Sequence, residues 1–190
     1  WALQVKEDIG LVKPIEKIAI IGAGAIGASY ASMFHSMSRG SVLFVADEER
    51  YSRLKQAGIV VNGKRFDIPV HLAGQVKLEV DLVIVAVKHH HLGMAIADLN
   101  RIVGDQTTIV SFMNGIESEE VLGSAFGAEK VLLSIVLGID AVRVGNSTTY
   151  SNQGRVFFGE ALNVLHSERV TVVKVLFENA GIRYVIPDDM

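Results

Sequence analysis

The sequence of 190 residues contains no cysteine. Disulfide bonds, thiolate metal sites and catalysis by a thiol nucleophile are therefore excluded for these residues, and the absence fits a protein of the reducing cytoplasm. An excess of positive charge is also lacking, because 18 lysines and arginines face 21 aspartates and glutamates, with a pI near 6.1. This balance argues against nucleic acid or an anionic membrane surface as a partner.

Charge is absent again between Ile18 and Ser38, over a stretch about as long as a membrane span. Three glycines, four serines and a histidine interrupt it, and its apolar residues change period midway. A buried strand followed by a half-buried helix explains the stretch better, so no membrane association is expected. Residues 1–16 carry several charges and a proline, do not resemble a signal peptide, and are expected to form an N-terminal extension. Because 49% of the chain is hydrophobic, residues 17–190 suffice for one domain with a large core.

A glycine pattern divides this stretch into the strand and the helix. Ile18–Ile21 form an apolar run typical of a buried parallel strand. The pattern G-x-G-x-x-G follows at Gly22, Ala23, Gly24, Ala25, Ile26 and Gly27. Apolar residues then recur at steps of three and four, as in a helix, at Tyr30, Met33, Phe34 and Met37. In this strand–turn–helix context the pattern predicts a dinucleotide site, with the pyrophosphate facing the N-terminus of the helix.

At each of the three glycines within residues 22–27, a physical requirement explains why the residue has no side chain. Gly22 allows the tight turn out of the strand, Gly24 leaves room where a Cβ would collide with the pyrophosphate, and Gly27 lets the helix pack closely on the sheet. The alternative is an accidental glycine-rich turn in an α/β protein. The register of strand, motif and amphipathic helix favours the dinucleotide site.

Strands and helices alternate along most of the remaining chain. Strands are predicted at 41–46, 82–87, 107–112 and 131–137, with helices at 48–56, from the histidines at 89–91 to about 102, and from 117 onward. This alternation predicts a Rossmann-like, doubly wound and mostly parallel sheet.

Two features predict antiparallel structure as well. Asn62-Gly63 predicts a type I′ hairpin turn between strands at 59–61 and 64–68. Residues 147–151 and 155–158 predict two strands around Asn152-Gln153-Gly154, as a small antiparallel appendage near the end of the chain. A helix at 165–179 and a last strand at 183–186 complete the prediction.

Asp47 lies twenty residues after Gly27, where the second strand ends. An acid there can accept hydrogen bonds from the ribose hydroxyls of adenosine and would repel a 2′-phosphate, which favours NAD. Asp47 is also a suitable N-cap for the helix at 48–56, and both roles can coexist. Arg50 and Arg53 leave NADP open, because a guanidinium one turn further on could bind the phosphate.

Polar residues follow two neighbouring strands at the edge where open α/β sheets bind ligands. Lys88 follows the strand at 82–87, and Asn114 follows the strand at 107–112. Lys88 could meet a pyrophosphate, a ribose or an acidic substrate, or be an ordinary solvated lysine. Asn114 could orient a ribose or a substrate, or serve only as the residue of an Asn-Gly turn. Their shared position beside the dinucleotide loop favours a site.

His89, His90 and His91 do not indicate a metal site, and none is expected. Consecutive residues on a helix point about 100° apart, so they cannot converge on one ion without ligands from elsewhere. A solvated helix start is favoured instead. A nucleophile elbow for Ser-His-Asp chemistry is lacking, and the acids of residues 117–120 are interpreted as a solvated face.

Together the motifs resemble the N-terminal domain of the ketopantoate reductase (2-dehydropantoate 2-reductase) family. The resemblance covers roughly residues 17–190, in the family's order and spacing, and is carried by KIAIIGAGAIGASYA, VLFVADEERYSRLKQAGI, DLVIVAVKHHHL, IVSFMNGIES, GNSTTYSNQGRVFFGE and NAGIRYVIPDDM. It implies that Lys88 is the family's cofactor and active-site lysine and that Asn114 contacts both cofactor and ketoacid. It also implies, through a less secure alignment, a backbone contact near the nicotinamide at Ala141.

The resemblance implies a reaction as well. Hydride would pass from NADH or NADPH to the C2 carbonyl of ketopantoate, on the route to pantothenate and coenzyme A. The expected partner is a small 2-ketoacid, and a homodimer is compatible with the resemblance. Another 2-ketoacid or hydroxy acid is the first alternative, and a non-catalytic nucleotide-sensing module is the second.

Two departures from the family bear on these expectations. The family usually has an arginine where Asp47 stands, in keeping with its use of NADPH, so Asp47 puts NADP preference in doubt. The family's proton-donating lysine lies in a helical substrate domain that would begin just after residue 190 and is not in this chain. The chain, with residues 17–190 as a dinucleotide-binding domain, is therefore expected to bind cofactor while reducing ketopantoate negligibly.

Overall fold

The computed structural model describes residues 13–75, 78–115 and 117–190. The extension predicted at residues 1–16 therefore lies outside the described residues, except for 13–16. The carboxylate of Asp81 accepts hydrogen bonds from the backbone N–H groups of Glu16 and Lys17, each at 2.9 Å, and pairs with Lys13 Nζ at 2.8 Å. These contacts fix the approach of the chain to its first strand.

The order of the elements follows the predicted alternation of strands and helices. The strands are β1 Ile18–Ile21, β2 Val42–Ala46, β3 Ile59–Val61, β4 Lys64–Phe66, β5 Val70–Leu72, β6 Val80–Val85, β7 Val103–Ser111, β8 Val131–Ile139, β9 Val142–Val144, β10 Ser147–Thr149, β11 Gln153–Gly159 and β12 Tyr184–Val185. The α-helices are α1 Ala25–Met37, α2 Glu48–Ala57, α3 Leu92–Leu99, α4 Glu117–Phe126 and α5 Glu168–Asn179. Short 3₁₀ turns cover His89–His91 and Ala128–Lys130.

The main sheet has eight strands in the order β12-β11-β8-β7-β6-β1-β2-β5. β1 pairs in parallel with β2 on one side and with β6 on the other, so the strand order reverses beside β1. The β8–β11 pair is antiparallel. The predicted doubly wound, mostly parallel sheet is confirmed, and its reversal point is where such sheets bind ligands.

The two faces of β1 pack against separate halves of the core, because successive side chains on a strand point to opposite faces. Ile18 and Ile20 lie in one cluster with residues of α1 and α5, among them the fully buried rings of Phe34 and Phe177. Ala19 and Ile21 lie in the other cluster, with residues of α3 and α4. Helices therefore cover both faces of the sheet, as its continuous apolar strands require.

A second, four-stranded sheet has the order β4-β3-β10-β9. The predicted type I′ turn of its β3–β4 hairpin is confirmed, since Asn62 and Gly63 have φ of 48° and 77°. The predicted small antiparallel appendage is confirmed by this sheet, but the two strands predicted around Asn152-Gln153-Gly154 do not pair with each other. β10 pairs with β3 and β9 in the small sheet, whereas β11 pairs with β8 in the main sheet.

A side chain from the β8–β9 connection stabilises the point at which the chain passes between the two sheets. Asp140, between β8 and β9, accepts hydrogen bonds from the backbone N–H groups of Ser151 and Asn152 at 2.9 and 2.8 Å. These bonds hold the β10–β11 connection where the chain passes from one sheet to the other.

Three further elements differ from the prediction. Strands β5 and β9 were not predicted. Helix α5 begins at Glu168 rather than at residue 165, because Ser167 is its N-cap.

Candidate functional site

The carboxyl ends of three neighbouring strands bring three of the predicted site residues, Gly22, Lys88 and Asn114, to one edge of the sheet. Ile21 is paired with Val85, and Val85 with Ser111. Gly22 follows Ile21 directly, while Lys88 and Asn114 each come three residues after the paired ends of β6 and β7. Both side chains are exposed. The edge is thus the one at which open α/β sheets bind ligands.

The glycine loop leaves no room for side chains at two of its three glycines. Gly22 has φ of 105°, and a Cβ there would overlap the carbonyl oxygen of Ala86 at the end of β6. A Cβ on Gly27 would overlap the carbonyl oxygen of Gly22 and lie 3.3 Å from the Cβ of Ala86. The tight turn and the close packing of α1 therefore both require glycine, for the reasons expected from the pattern.

Gly24 differs from these two glycines, because a Cβ there would meet no atom within 4 Å. Gly24 is the N-cap of α1, and no side chain caps this helix end. The backbone N–H groups of the first turn are therefore not capped by a side chain, so an anion can accept their hydrogen bonds and meet the positive end of the helix dipole. The residues of the loop fit the pyrophosphate of a dinucleotide.

A pocket of about 260 Å³ extends from this loop towards α2 and α3. Its walls come from the glycine loop, the end of β2 with α2, the segment after β6 with α3, and strand β9 of the small sheet. Its charged and imidazole side chains are Asp47, Arg50, Arg53, Lys88, His90, His91, Asp98 and Arg143. Four cations thus face two carboxylates, so the pocket is suited to an anionic ligand.

Asp47 acts as the predicted N-cap of α2. Its Oδ1 accepts a hydrogen bond from Arg50 N at 2.8 Å, and its Oδ2 forms an ion pair with the guanidinium of Arg50. Arg50 also approaches His91 Nε2 at 3.4 Å. Burial lowers the pKa of His91, with the neighbouring charges of His90, Arg50 and Lys88 acting in the same direction.

Asp98 and Arg143 are pocket residues that sequence reasoning missed. Burial raises the pKa of Asp98, and the nearby charge of Asp47 raises it further, against the effect of Arg50. Burial lowers the pKa of Arg143, and the charge of Arg53 adds to this effect. In the sequence, Arg143 stands between two valines, a pattern typical of a strand. This pattern does not indicate which strand it pairs with, so it could not place Arg143 at the pocket.

Asn114 and Ala141 do not line this pocket. Asn114 follows Met113, whose N–H approaches Ser111 Oγ at 3.3 Å, and Ser111 Oγ in turn lies 2.8 Å from Ser118 Oγ. Ser118 donates to the buried carboxylate of Glu119 at 2.7 Å. Glu119 is thus buried rather than part of the solvated face predicted for residues 117–120, and burial raises its pKa.

A metal site is not found at the histidine run. Among residues 13–75, 78–115 and 117–190, no three histidine, aspartate or glutamate side chains are placed so that they could hold one metal ion. The same described ranges contain no helix that combines the length and the apolar character needed to cross a bilayer.

Comparison with known proteins decides the family. The sequence profile described as "Ketopantoate reductase PanE/ApbA" matches residues 18–163, which is more than half of the chain. The chain belongs to this family. The family comprises oxidoreductases, and the resemblance noted in the sequence is confirmed.

The similar sequences span more residues than this chain. It is 28% identical to the 2-dehydropantoate 2-reductase of Aquifex aeolicus over 88% of this chain and 54% of that protein. It is 27% identical to YkpB of Bacillus subtilis, described as an uncharacterized oxidoreductase, over 90% of this chain and 57% of that protein. The chain thus spans slightly more than half the length of these two relatives.

Solved structures support the fold of the family. The 2-dehydropantoate 2-reductase of Geobacter metallireducens superposes with a TM-score of 0.78 at 25% identity, over 90% of this chain and 58% of that one. A D-mandelate dehydrogenase with NADH and anilino(oxo)acetate superposes with the same TM-score of 0.78 at 23% identity, over 90% and 57%. At that identity the second likeness concerns the fold alone.

Proposed function

We propose that the chain binds a nicotinamide dinucleotide and supplies the cofactor-binding part of an oxidoreductase that reduces the C2 carbonyl of ketopantoate. The observation that carries the proposal is the glycine loop of residues 22–27, with its open space at Gly24 beside the uncapped first turn of α1. Membership of the family supports the class of reaction. The cofactor would supply the hydride, and the protein would supply binding, orientation and charge.

Lys88 and Asn114 are proposed to act at the reactive end of the site. The ammonium group of Lys88 would bind the pyrophosphate or the carboxylate of the ketoacid, and the amide of Asn114 would orient the ribose or the substrate. Donors of this kind stabilise the negative charge that develops on a carbonyl oxygen as hydride arrives. Ala141, in the β8–β9 connection, is proposed to contribute a backbone contact near the nicotinamide.

Ketopantoate is proposed because the relatives named above include a 2-dehydropantoate 2-reductase. A structure similar in fold is a D-mandelate dehydrogenase, so a different 2-ketoacid is the alternative within the same reaction class. A homodimer is also proposed, since a similar structure from Staphylococcus aureus is described as a dimeric ketopantoate reductase. We also propose that this protein is located in the cytoplasm, in keeping with the absence of cysteine from its sequence.

Titration of the 190-residue chain with NADH and NADPH, followed by nicotinamide fluorescence, tests the proposal. We expect saturable binding of at least one dinucleotide, weakened by Lys88→Ala and unchanged by Lys174→Ala, a lysine of α5 that does not line the pocket. If neither dinucleotide binds, the proposed function is wrong.

Turnover separates the catalytic part of the proposal from the binding part. Because the match to this chain covers only 57% and 54% of the two relatives, we propose that these 190 residues bind cofactor but reduce ketopantoate negligibly. Rapid reduction of ketopantoate by the 190 residues would contradict this division. Binding without activity on any of a panel of 2-ketoacids, in a protein that also contains the second domain of the family, would instead favour a nucleotide-sensing module.

A further inference from the structure

A path of buried hydroxyl groups adjoins the turn that carries Asn114. Ser111, the last residue of β7, and Ser118 of α4 are both buried, and their Oγ atoms lie 2.8 Å apart. Ser118 Oγ donates to Glu119 Oε2 at 2.7 Å, and Met113 N donates to Ser111 Oγ at 3.3 Å. This hydroxyl path therefore runs from the backbone beside Asn114 to a carboxyl group inside the protein.

The two ends of the hydroxyl path fix its direction. Ser118 Oγ has a single proton, which it gives to Glu119, so Ser111 Oγ donates to Ser118. Ser111 Oγ is then left with lone pairs, which suit the N–H of Met113, a group that can only donate. Glu119 is thus the terminal acceptor. An apolar side chain in its place would free both hydroxyl groups to turn away from Met113.

The second oxygen of Glu119 faces strand β8. The N–H of Ser134 donates to Glu119 Oε1 at 3.4 Å, while Ser134 Oγ accepts from Ser111 N at 2.8 Å and donates to Ser111 O at 3.0 Å. The last paired residues of β7 and β8 are Val110 and Leu132. The side chain of Ser134 therefore replaces the ladder contacts where the two strands separate, and Glu119 is held by both α4 and β8.

Burial of the Glu119 carboxyl is costly. Its residue is only 7% exposed, and burial raises the pKa of the carboxyl against the effect of hydrogen bonds from Ser118 and Ser134. Within residues 13–75, 78–115 and 117–190, no basic side chain lies within 4.0 Å of this carboxyl. An ion pair thus does not explain an acid at this position, whereas the polar groups that it orders do.

The turn that carries Asn114 is anchored by the two residues before it. Phe112 and Met113 are 1% and 4% exposed and pack in opposite halves of the core, and Phe112 N donates to Val85 O at 2.8 Å. Gly115, directly after Asn114, has φ of 96°, which favours glycine. The bond from Met113 N to the hydroxyl path is the last of these anchors before Asn114, so it influences the direction of the Asn114 amide.

We infer that Glu119 is a positioning residue, which acts through Ser118, Ser111 and Met113 to hold the amide of Asn114 towards the nicotinamide half of the bound dinucleotide. The inference rests on the proposed function, because it acts on the role proposed there for Asn114. Glu119 does not line the pocket beside the glycine loop. Its loss should therefore weaken contacts with the nicotinamide and its ribose while adenosine and pyrophosphate still bind.

Binding of NADH and of ADP separates the two halves of the ligand, since ADP lacks the nicotinamide and its ribose. We expect Asn114→Ala and Glu119→Leu each to raise the Kd for NADH about three- to tenfold, as the loss of one hydrogen bond would give, and to leave the Kd for ADP within about twofold. Because Glu119 acts through Asn114, the double variant should bind NADH no more weakly than Asn114→Ala alone.

Three further variants distinguish positioning from a general effect on the fold. Glu119→Gln keeps an oxygen that can accept from Ser118, so it should retain most of the affinity for NADH. Ser118→Ala interrupts the hydroxyl path while the carboxyl stays, and it should reproduce the loss seen in Glu119→Leu and replace that variant if it does not fold. Glu120→Leu, at the exposed neighbouring acid of α4, should change neither affinity.

The outcomes separate this inference from the proposed function. Equal weakening of NADH and ADP by Glu119→Leu, or additive losses in the double variant, would overturn the inference and leave the proposed function standing. Unchanged binding of NADH by Asn114→Ala would overturn both the inference and the role proposed for Asn114. Failure of the native chain to bind either dinucleotide would overturn the proposed function itself.

Discussion

The two ends of the pocket are built by different means. At one end, the glycine loop joins β1 to α1 within six consecutive residues, and its geometry depends on close contacts of backbone atoms. At the other end, Arg53 comes from α2 and Arg143 from β9, two elements that lie far apart in the sequence. The first end depends on local conformation and can be found in a sequence motif, whereas the second depends on how one sheet is attached to another.

At the glycine end, the space around each glycine decides what a substitution changes. A side chain at a crowded glycine should impair both folding and binding, whereas one at an open glycine should impair binding alone. The largest effect is expected for Gly27→Ala, because the new Cβ would overlap the carbonyl oxygen of Gly22. Relief of that overlap requires α1 to move away from the sheet, at a cost of about 1–3 kcal/mol of unfolding free energy. Denaturant unfolding and dinucleotide titration should both show a loss, and a variant of native stability would contradict the packing argument.

Gly24→Ala separates binding from folding at the same loop. Its Cβ would meet no protein atom within 4 Å, so the stability should change little, but the methyl group would occupy the space proposed for the pyrophosphate. We expect at least about a tenfold increase in the Kd for NADPH, which corresponds to about 1.4 kcal/mol. The matched control is Gly93→Ala, at an exposed position of α3 with equally open surroundings, and its Kd should stay unchanged. Tight binding by Gly24→Ala would show that the pyrophosphate lies elsewhere.

The attachment of the small sheet can be weakened without touching the pocket. Ser151 Oγ and the N–H groups of Asn152 and Ser151 donate to Asp140, and these hydrogen bonds hold the pKa of its carboxyl below the ordinary value of 3.8. Asp140→Asn should therefore lower Tm, because the three hydrogen bonds that hold the β10–β11 connection are weakened.

The pH dependence of that variant has a defined sign. A carboxyl group whose pKa is lowered in the folded state contributes stability that is fully present above its unfolded pKa and is lost as the pH falls through its folded pKa. The difference in Tm between the native chain and Asp140→Asn should thus be greatest near neutral pH and disappear in acid. Asp105→Asn, at an exposed aspartate of β7, provides the control, and an equal effect there would show that Asp140 has no special role.

The smallest effect is expected on the outer face of β9. Val144 is 77% exposed and points away from Arg143, so Val144→Thr should change stability by less than about 0.5 kcal/mol. The affinities for NADH and NADPH should also be unchanged. A clear loss of NADPH binding in this variant would mean that β9 as a whole, rather than the side chain of Arg143, forms the wall of the pocket.

Much of the fold could be predicted from the sequence, because its signals are local. The apolar run of β1, the glycines after it and the helical spacing of Tyr30 and Phe34 are contained in one short stretch. The capping role of Asp47 and the positive φ values of Asn62 and Gly63 likewise depend on a few adjacent residues. The exception was Glu119, which has the composition of a solvated helix start but is buried against Ser118 and strand β8.

The sequence by itself determined the alternation of strands and helices, the glycine loop and the family, since backbone conformation and apolar periodicity are properties of neighbouring residues. Only the tertiary structure decided that β10 and β11 belong to different sheets and that Arg143 lines the same pocket as Arg53. Strand pairing and the position of a side chain opposite a distant helix depend on contacts between residues far apart in the chain. A single strand carries no information about which partner it will pair with, so this part of the site could not be predicted from the sequence.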